Sequence, residues 1–375
     1  MNFDEHAAKS LVLAPAGIPV PRGQICRTAK EAAEAVRAIG PAVIKAQVAA
    51  GKRGKAGGIK PVNTPEEAER VAAAILGMSI GEYKVEHVLV EEQAKIAREF
   101  YAAVLNDTEA RKPLVLFSMQ GGMDIEEVAA ATPDAIRREH VNLDPIPGAA
   151  DFASMLAGLA LGAAQASVAD ILSRLYAAYR RRDAELLEIN PLAELADGRV
   201  IALDCKFMLD DAAAYRQEDI GKFAAPAPMT ALERRAAESG LKFIQLEGNV
   251  GVLANGAGLT MTTMDIIRHF GGRPANFLEI GGDAYTKSAV ALDLVLSNPG
   301  VKSLIINFCG AFARTDVMAD GIVKAWQELK PTVPVFFSIH GTGEDEAIAL
   351  VRARLGIEPY DIMEDAIQAA VQAAQ

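Results

Sequence analysis

At 375 residues the chain is longer than one ordinary hydrophobic core supports, and two or three packed units are expected. Apolar residues make up 51% and charged residues 23%, the usage of an ordinary folded protein, which excludes a disordered chain. A net charge of −11 argues against nucleic-acid binding through a general field, and charged residues interrupt every run approaching the about 18 to 20 apolar residues of a membrane span.

The N-terminus carries early acidic residues and no apolar core of a secretory signal. Cys26, Cys205 and Cys309 form neither a metal-ligand spacing nor an even framework, so a reducing, cytoplasmic setting is expected. Asp4 to Ala14 reads as a short helix with Leu11 and Leu13 inward, ended by Gly17-Ile18-Pro19-Val20-Pro21. Thr28 caps a helix over Ala29 to Ile39, and Pro41 to Val48 is a strand interrupted by Lys45. A lysine there either lies on a solvated edge or reaches a buried anion. Residues 49–58 then hold four glycines (Gly51, Gly54, Gly57, Gly58) and three cations (Lys52, Arg53, Lys55). Such a loop lets backbone amides approach a polyphosphate while the side chains neutralise it. It matches neither the Walker-A nor the Rossmann glycine pattern, and a flexible basic surface loop has the same composition.

Thr64 caps a helix over Pro65 to Leu76, with Glu66 and Glu67 favourable in its first turn. Val85 to Glu91, Glu99 to Leu105 and Leu114 to Met119 read as strands of an antiparallel sheet; Glu91 and Glu99 at their edges are solvated or serve as acceptors for a ribose or an adenine amine. Gly121 to Glu126 marks a turn, the segment through Pro147 reads as irregular, and Phe152 to Tyr179 as helical. The first half is organised around a hairpin: Glu185 to Leu192, a turn at Ala196-Asp197-Gly198, and Val200 to Lys206. Glu188, Asn190 and Asp204 interrupt strands that are otherwise apolar. They either face solvent or form an oxygen-only set suited to Mg²⁺ and a nucleotide, because a buried carboxylate needs a cation or strong hydrogen-bond partner.

The second half alternates strands (Phe243 to Leu246, Val250 to Leu253, Ala275 to Ile280, Ser303 to Asn307, Val333 to Ser338) with helices (Met261 to Phe270, Ser288 to Ser297, Asp316 to Leu329). That order implies a parallel sheet with helices on both faces and ligands at the carboxyl ends of its strands. Asn255-Gly256-Ala257-Gly258 and Asn307 to Arg314 each follow a strand and precede a helix, where amides face an anion or simply make a βα turn.

Lys45, Gly51-Lys52-Arg53-Gly54-Lys55-Ala56-Gly57-Gly58, Gln120 to Glu127, Glu188-Ile189-Asn190-Pro191-Leu192 and Asp204-Cys205-Lys206 together resemble the ATP-grasp half of succinyl-CoA synthetase β-subunits. Leu246 to Gly251, Ala254 to Leu259 and Pro274 to Gly282 resemble the carboxy-terminal domain of the same subunit. The resemblance implies an α/β protein: an α+β ATP-grasp half at 1–227, a linker near Gln217 to Ala237, and a doubly wound, flavodoxin-like parallel domain at 238–375.

It also implies a reaction, in which ATP phosphorylates a histidine of a partner α-subunit, the phosphate passes to a carboxylate, and CoA displaces it as a thioester. By that likeness Lys45 contacts the nucleotide phosphates, Lys52, Arg53 and Gly54 cover them, and Glu91, Ala94 and Glu99 hold base and sugar. Asn190 and Asp204 carry Mg²⁺, Glu188 faces the phosphohistidine, and Asn255, Ala311, Phe312 and Ala313 meet the acid. The nucleotide is ATP or GTP, CoA is held mainly by the α-subunit, and the assembly is a heterodimer or an α2β2 heterotetramer, with no nucleic acid and no membrane. His6, His87, His140, His269 and His340 all lie outside any phosphohistidine loop of the α-subunit type, so the chain reads as half an enzyme.

Several positions depart from the family pattern. Lys52 stands where a glycine is usual, Cys205 where glycine or alanine is usual, and Cys309-Gly310-Ala311-Phe312 replaces Phe-Gly-Gly-Ile. Gly281 to Thr286 and Ser338 to Gly343 differ as well, the latter lacking an arginine. These changes cluster where the acid binds, so acyl-CoA ligation is expected and the acid stays open. Another ATP-grasp carboxylate ligase would not carry the second half, and a non-catalytic nucleotide-binding paralogue would not need Glu188, Asn190 and Asp204 together.

Overall fold

The computed structural model describes all residues except 226–228 and 281–283, so the Gly281-Gly282-Asp283 departure lies outside the described residues. The chain divides into two compact units, Met1–Pro228 and Met229–Gln375.

The first unit contains two larger sheets. The smaller has the order Gly23–Cys26, Val88–Glu92, Ala42–Ala46, Ile59–Val62, antiparallel throughout. Helices Ala29–Ile39 and Pro65–Ile75 cover one face, each started by a threonine hydroxyl that accepts from the amide three residues on, Glu31 and Glu67, at 3.2 Å. Their alanine-rich sides bring Ala32, Ala35, Ala68 and Ala72 against Ile44, Val88 and Val90. Because side chains alternate along a strand, Lys45 and Glu91 point from the opposite face.

The larger sheet has six strands in the order Val200–Ala202, Ala184–Leu195, Ile96–Asp107, Lys112–Ser118, Ile136–His140, with Lys206–Leu209 also paired to Ala184–Leu195. Phe100, Phe117, Leu187 and Ile189 pack with Phe152, Leu172 and Tyr176 of helices Ala149–Met155 and Gln165–Arg181.

Local expectations change in five places. The strand ending at Glu91 belongs to the smaller sheet and not with Ile96–Asp107. The polar run after it closes one sheet, where Gln93 N–H donates to Pro41 O at 3.0 Å, and opens the other, where Ala196 N–H donates to Lys95 O at 2.9 Å. The long helix is two helices, interrupted where Gly158 and Gly162 take φ values of 80° and 59°. The segment read as irregular contains helix Ile125–Ala131 and strand Ile136–His140. The first helix is one α-turn, Glu5–Ala8, followed by a π-turn, Lys9–Leu13, and a 3₁₀ turn, Ala14–Ala16; the widened turn buries Val12 and Leu13 and leaves Leu11 half-buried. Finally, the second hairpin strand is broken at Leu203-Asp204-Cys205 between Val200–Ala202 and Lys206–Leu209.

The second unit has one five-stranded sheet in the order Lys242–Gln245, Asn276–Glu279, Val250–Ala254, Ser303–Gly310, Val335–Gly341. Four strands are parallel, and Lys242–Gln245 runs antiparallel at the edge. Only Leu246 to Asn249 links it to the next strand, too few residues for the dozen or so that a parallel crossover takes. Leu304, Ile306 and Phe308 meet helices Thr315–Leu329 and Glu344–Leu355 on one face, while Ile305 meets Ala257–His269 and Met363–Ala373 on the other. Helix Ala231–Glu238, within the expected linker, packs Ala236 into this unit's core. The order of the parallel strands reverses between Val250–Ala254 and Ser303–Gly310, which puts a ligand crevice at Asn255 and Ala311.

Candidate functional site

The interruption of the hairpin at Leu203-Asp204-Cys205 takes three residues out of the ladder and makes their polar groups available to other elements. Leu203 O accepts from Lys45 Nζ at 2.7 Å and from Lys9 Nζ at 3.1 Å. Asp204 accepts from Arg53 Nη2 at both carboxylate oxygens, each 2.8 Å, and from the Cys205 amide at 2.7 Å. Beneath them, Glu5 Oε1 accepts from Lys9 at 2.5 Å and Lys45 at 2.8 Å, and its Oε2 lies 2.8 Å from Arg53 Nη2. Glu91 accepts from Lys45 at 2.6 Å and also from Lys9.

The result is a buried network of three cations and three carboxylates, of which only Asp204 keeps appreciable exposure, 31%. Burial works against charge on Lys45, but the facing Glu5 and Glu91 carboxylates hold its ammonium above the ordinary lysine range. Burial likewise opposes ionisation of Glu5, and Lys45, Lys9 and Arg53 outweigh it, keeping the carboxyl well below the ordinary range.

A cavity of about 570 Å³ opens above this network, lined among others by Glu5, Lys52, Arg53, Glu188, Asn190 and Asp204. Arg53 also donates to Ala46 O at 2.9 Å, tying the glycine-rich loop to the end of strand Ala42–Ala46. Lys52, in the left-handed region at φ 61°, reaches Asp124 at 3.0 Å across the cavity mouth. Glu188 lies on Ala184–Leu195 opposite Lys206 and accepts from Tyr101 Oη at 2.9 Å. Burial raises its carboxyl above the ordinary glutamate range, against the pull of Tyr101 and Lys206.

Asn190 is fixed from both ends of its amide: Oδ1 accepts from Gly122 N–H at 2.8 Å and Nδ2 donates to Met123 O at 2.9 Å. The turn can lie so close only because Gly121 and Gly122 lack a Cβ. One on Gly121 would stand 2.2 Å from Phe100 O, and one on Gly122 2.4 Å from a Glu99 oxygen. Among the described residues no group of three or more His, Cys, Asp or Glu side chains gathers to hold a metal by itself.

In the second unit the crevice predicted by strand order is built. Asn255 pairs with Cys309 through both amide atoms, donating to its carbonyl at 2.9 Å and accepting from its N–H at 2.8 Å. Thr342 Oγ1 donates to Ala311 O at 2.9 Å, and Phe312 projects fully exposed.

The ATP-grasp domain family matches residues 2–194 and the CoA-ligase family residues 253–373. The β-subunit of the ADP-forming succinate–CoA ligase of Chloroflexus aurantiacus is 43% identical over 381 residues, covering 100% of this chain and 99% of its own. This chain belongs to the β-subunit family of ADP-forming succinate–CoA ligases. The family member of Roseiflexus sp. is 42% identical over 381 residues with all of both chains covered, and that of Nitratiruptor sp. is 40% identical over 390 residues, covering 100% of this chain and 99% of its own. Among solved structures, ATP citrate lyase from Methanothrix soehngenii, in complex with citrate and coenzyme A, shares the fold at a TM-score of 0.75, with 23% identity and 99% of each chain covered. As a family member the chain is an acid–thiol ligase with an ATP-grasp half and a parallel α/β half.

Of the β-subunit residues singled out from sequence, Lys52, Arg53, Gly54, Glu188, Asn190 and Asp204 line one cavity. Lys45 and Glu91 lie in the ion network under it, Glu99 abuts the Gly122 turn, and Ala94 lines a separate cavity of about 830 Å³. Asn255 and Ala311 to Ala313 belong to the second unit. Glu5, Lys9 and Tyr101 went unnoticed in the sequence. The only signal for the first two was an i, i+4 Glu–Lys pair, which an exposed helix carries just as often.

Proposed function

We propose that this chain binds Mg-ATP in the 570 Å³ cavity and phosphorylates a histidine of an α-subunit, which with CoA and a small carboxylic acid completes an acyl-CoA ligase. The observation that carries the reading is the convergence on one cavity of a glycine-rich basic loop, two oxygen donors and a further carboxylate, Glu188, outside the ion network. Lys45 and Arg53 supply positive charge for the phosphates, and the backbone at Gly54 lets an oxygen approach. Asn190 Oδ1 and the partly exposed Asp204 carboxylate are hard oxygen donors on the same wall, a set that fits Mg²⁺, which takes few protein ligands. When bound, the ion screens the phosphate charges and orients them. Ala94, in the separate cavity, and Glu99 are assigned to base and sugar, whereas Glu91, buried against Lys45, acts on the phosphates through that lysine.

Glu188, outside the ion network and held by Tyr101, is placed to accept from an incoming imidazole, fix its tautomer and stabilise its protonated form. In the second unit the Asn255 and Ala311 to Ala313 loops take the acid, which is succinate in the relatives. Here Ala311 and the exposed Phe312 reshape that loop, and a methylene's worth of change shifts selectivity by about 1–3 kcal/mol. A related anionic acid, hydroxylated or sulfonated, is therefore the expected best substrate.

The test is a coupled thioester assay of the chain co-expressed with an α-subunit of the same family, across a panel of small acids. The chain alone should bind Mg-nucleotide and make no thioester; thioester formation by the pure single chain refutes the division of labour. Glu188→Gln should leave nucleotide binding intact and slow phosphoryl transfer to the α-subunit by about 10²- to 10⁴-fold. A highest kcat/KM for succinate would remove the selectivity reading while leaving the ligase.

A further inference from the structure

Glu5 is the one member of the ion network that meets all three cations. Its Oε1 accepts from Lys9 at 2.5 Å and Lys45 at 2.8 Å, and its Oε2 stands 2.8 Å from Arg53. Glu91 reaches only the two lysines and Asp204 only the arginine. Glu5 is also a wall of the cavity, its side chain is 1% exposed, and Oε2 has no hydrogen bond despite the nearby guanidinium.

A buried carboxylate oxygen without a hydrogen bond is costly to keep. Plain charge balance would be met as well by a carboxylate reaching one lysine. A carboxylate contacting Lys45 and Arg53 together, from the side away from solvent, does something further. It fixes the spacing of two long, rotamer-rich cations whose other partners, Glu91 and Leu203 O for Lys45 and Ala46 O and Asp204 for Arg53, hold each one separately.

We infer that Glu5 is a positioning residue of the nucleotide site: it holds Arg53 at the cavity wall and Lys45 directly beneath it, so that the two cations face the polyphosphate at a fixed spacing without reorganisation. Lys9, which like Lys45 does not line the cavity, balances the Glu5 charge from the same helical segment. Asp204 is then the exchangeable partner of Arg53: it is the most exposed of the three carboxylates, and Arg53 would keep Glu5 if Asp204 were to hold a cation. The inference rests on the proposal that the cavity takes Mg-nucleotide.

The experiment measures Mg-ADP binding to the full chain by calorimetry, with thermal unfolding followed on the same samples. Absence of binding to the unaltered chain would refute the nucleotide reading itself, and is thereby told apart from failure of the positioning role. Glu5→Gln leaves three buried cations facing two carboxylates, and is expected to lower the unfolding midpoint and weaken Mg-ADP binding at least about tenfold. The decisive variant is Glu5→Gln with Lys9→Met, in which two cations again face two carboxylates. Its midpoint should recover while the affinity stays low, because Lys45 and Arg53 keep their separate partners but no carboxylate joins them. Glu5→Asp keeps the charge and shortens the reach, so its affinity should fall with little change in midpoint. Wild-type affinity in either the double variant or Glu5→Asp overturns the positioning role and leaves Glu5 as charge balance alone.

Discussion

Lys52 stands at φ 61°, where a side chain is strained, yet its neighbour Gly54 has neither a positive φ nor a close contact, its nearest neighbour being Ile59 Cδ1 at 4.0 Å. The fold would therefore accept a glycine at 52 and a side chain at 54, the reverse of what the sequence provides. Lys52→Gly relieves the strain and gives up an ion pair to Asp124 whose lysine is exposed and whose carboxylate is not, two effects of about 1 kcal/mol that oppose each other. Urea unfolding should show stability unchanged or raised by up to about 1 kcal/mol, and a larger loss would mean that the pair closes the cavity mouth more firmly than such a contact should. Gly54→Ala should unfold within about 0.5 kcal/mol of the unaltered chain and bind Mg-ADP more weakly, since the added methyl meets a phosphate and not the protein. Equal binding in calorimetry would release Gly54 from the phosphate loop.

At the scale of elements, the site is assembled where regular structure stops. The broken strand at Leu203-Asp204-Cys205 frees Leu203 O for two lysines, the π-turn after Ala8 carries Lys9 to the same point, and the Gly121-Gly122 turn crosses strand Ile96–Asp107 to clasp Asn190. The last of these depends most on shape. A Cβ on Gly121 would meet the Phe100 backbone at 2.2, 2.4 and 2.6 Å, and backbone in the middle of a sheet does not give way. Gly121→Ala should destabilise the first unit by about 3 kcal/mol, the upper end for overpacking, and loosen Asn190 with it. Denaturant unfolding and the Mg²⁺ dependence of nucleotide binding read the two effects separately. Stability within about 0.5 kcal/mol of the unaltered chain would show that the turn can lift off the strand at little cost.

For the whole molecule, each unit has its own sheets and its own apolar packing. The second buries both faces of a five-stranded sheet under helices drawn entirely from 229–375, and it includes helix Ala231–Glu238 with its Thr230–Glu233 capping box. Residues 229–375 expressed alone should therefore fold and unfold in one cooperative urea transition, whereas a fragment starting at 240 loses Ala236 from the core and should be markedly less stable. A fragment from 229 without a cooperative transition would refute the autonomy of this unit.

Strand and helix periods, threonine caps and the glycine-rich loop were legible in the chain because each is decided within a few residues: Thr28 and Thr64 cap whatever follows them, and Leu304 to Ile306 is apolar on both faces wherever it is placed. The family pattern in Lys45, residues 51–58, Glu188, Asn190 and Asp204 pointed to a nucleotide, since those residue types carry their chemistry with them. Tertiary structure alone decided the rest. Val88–Glu92 and Ile96–Asp107 are nearly contiguous and look alike, and only long-range pairing sends them into different sheets. Glu5 and Lys9 form an unremarkable helical pair until Lys45, Glu91, Arg53 and Leu203 O, all far along the chain, surround them. A charge's role depends on which opposite charges face it once water is removed, and that is a property of the packed chain, not of any stretch of its sequence.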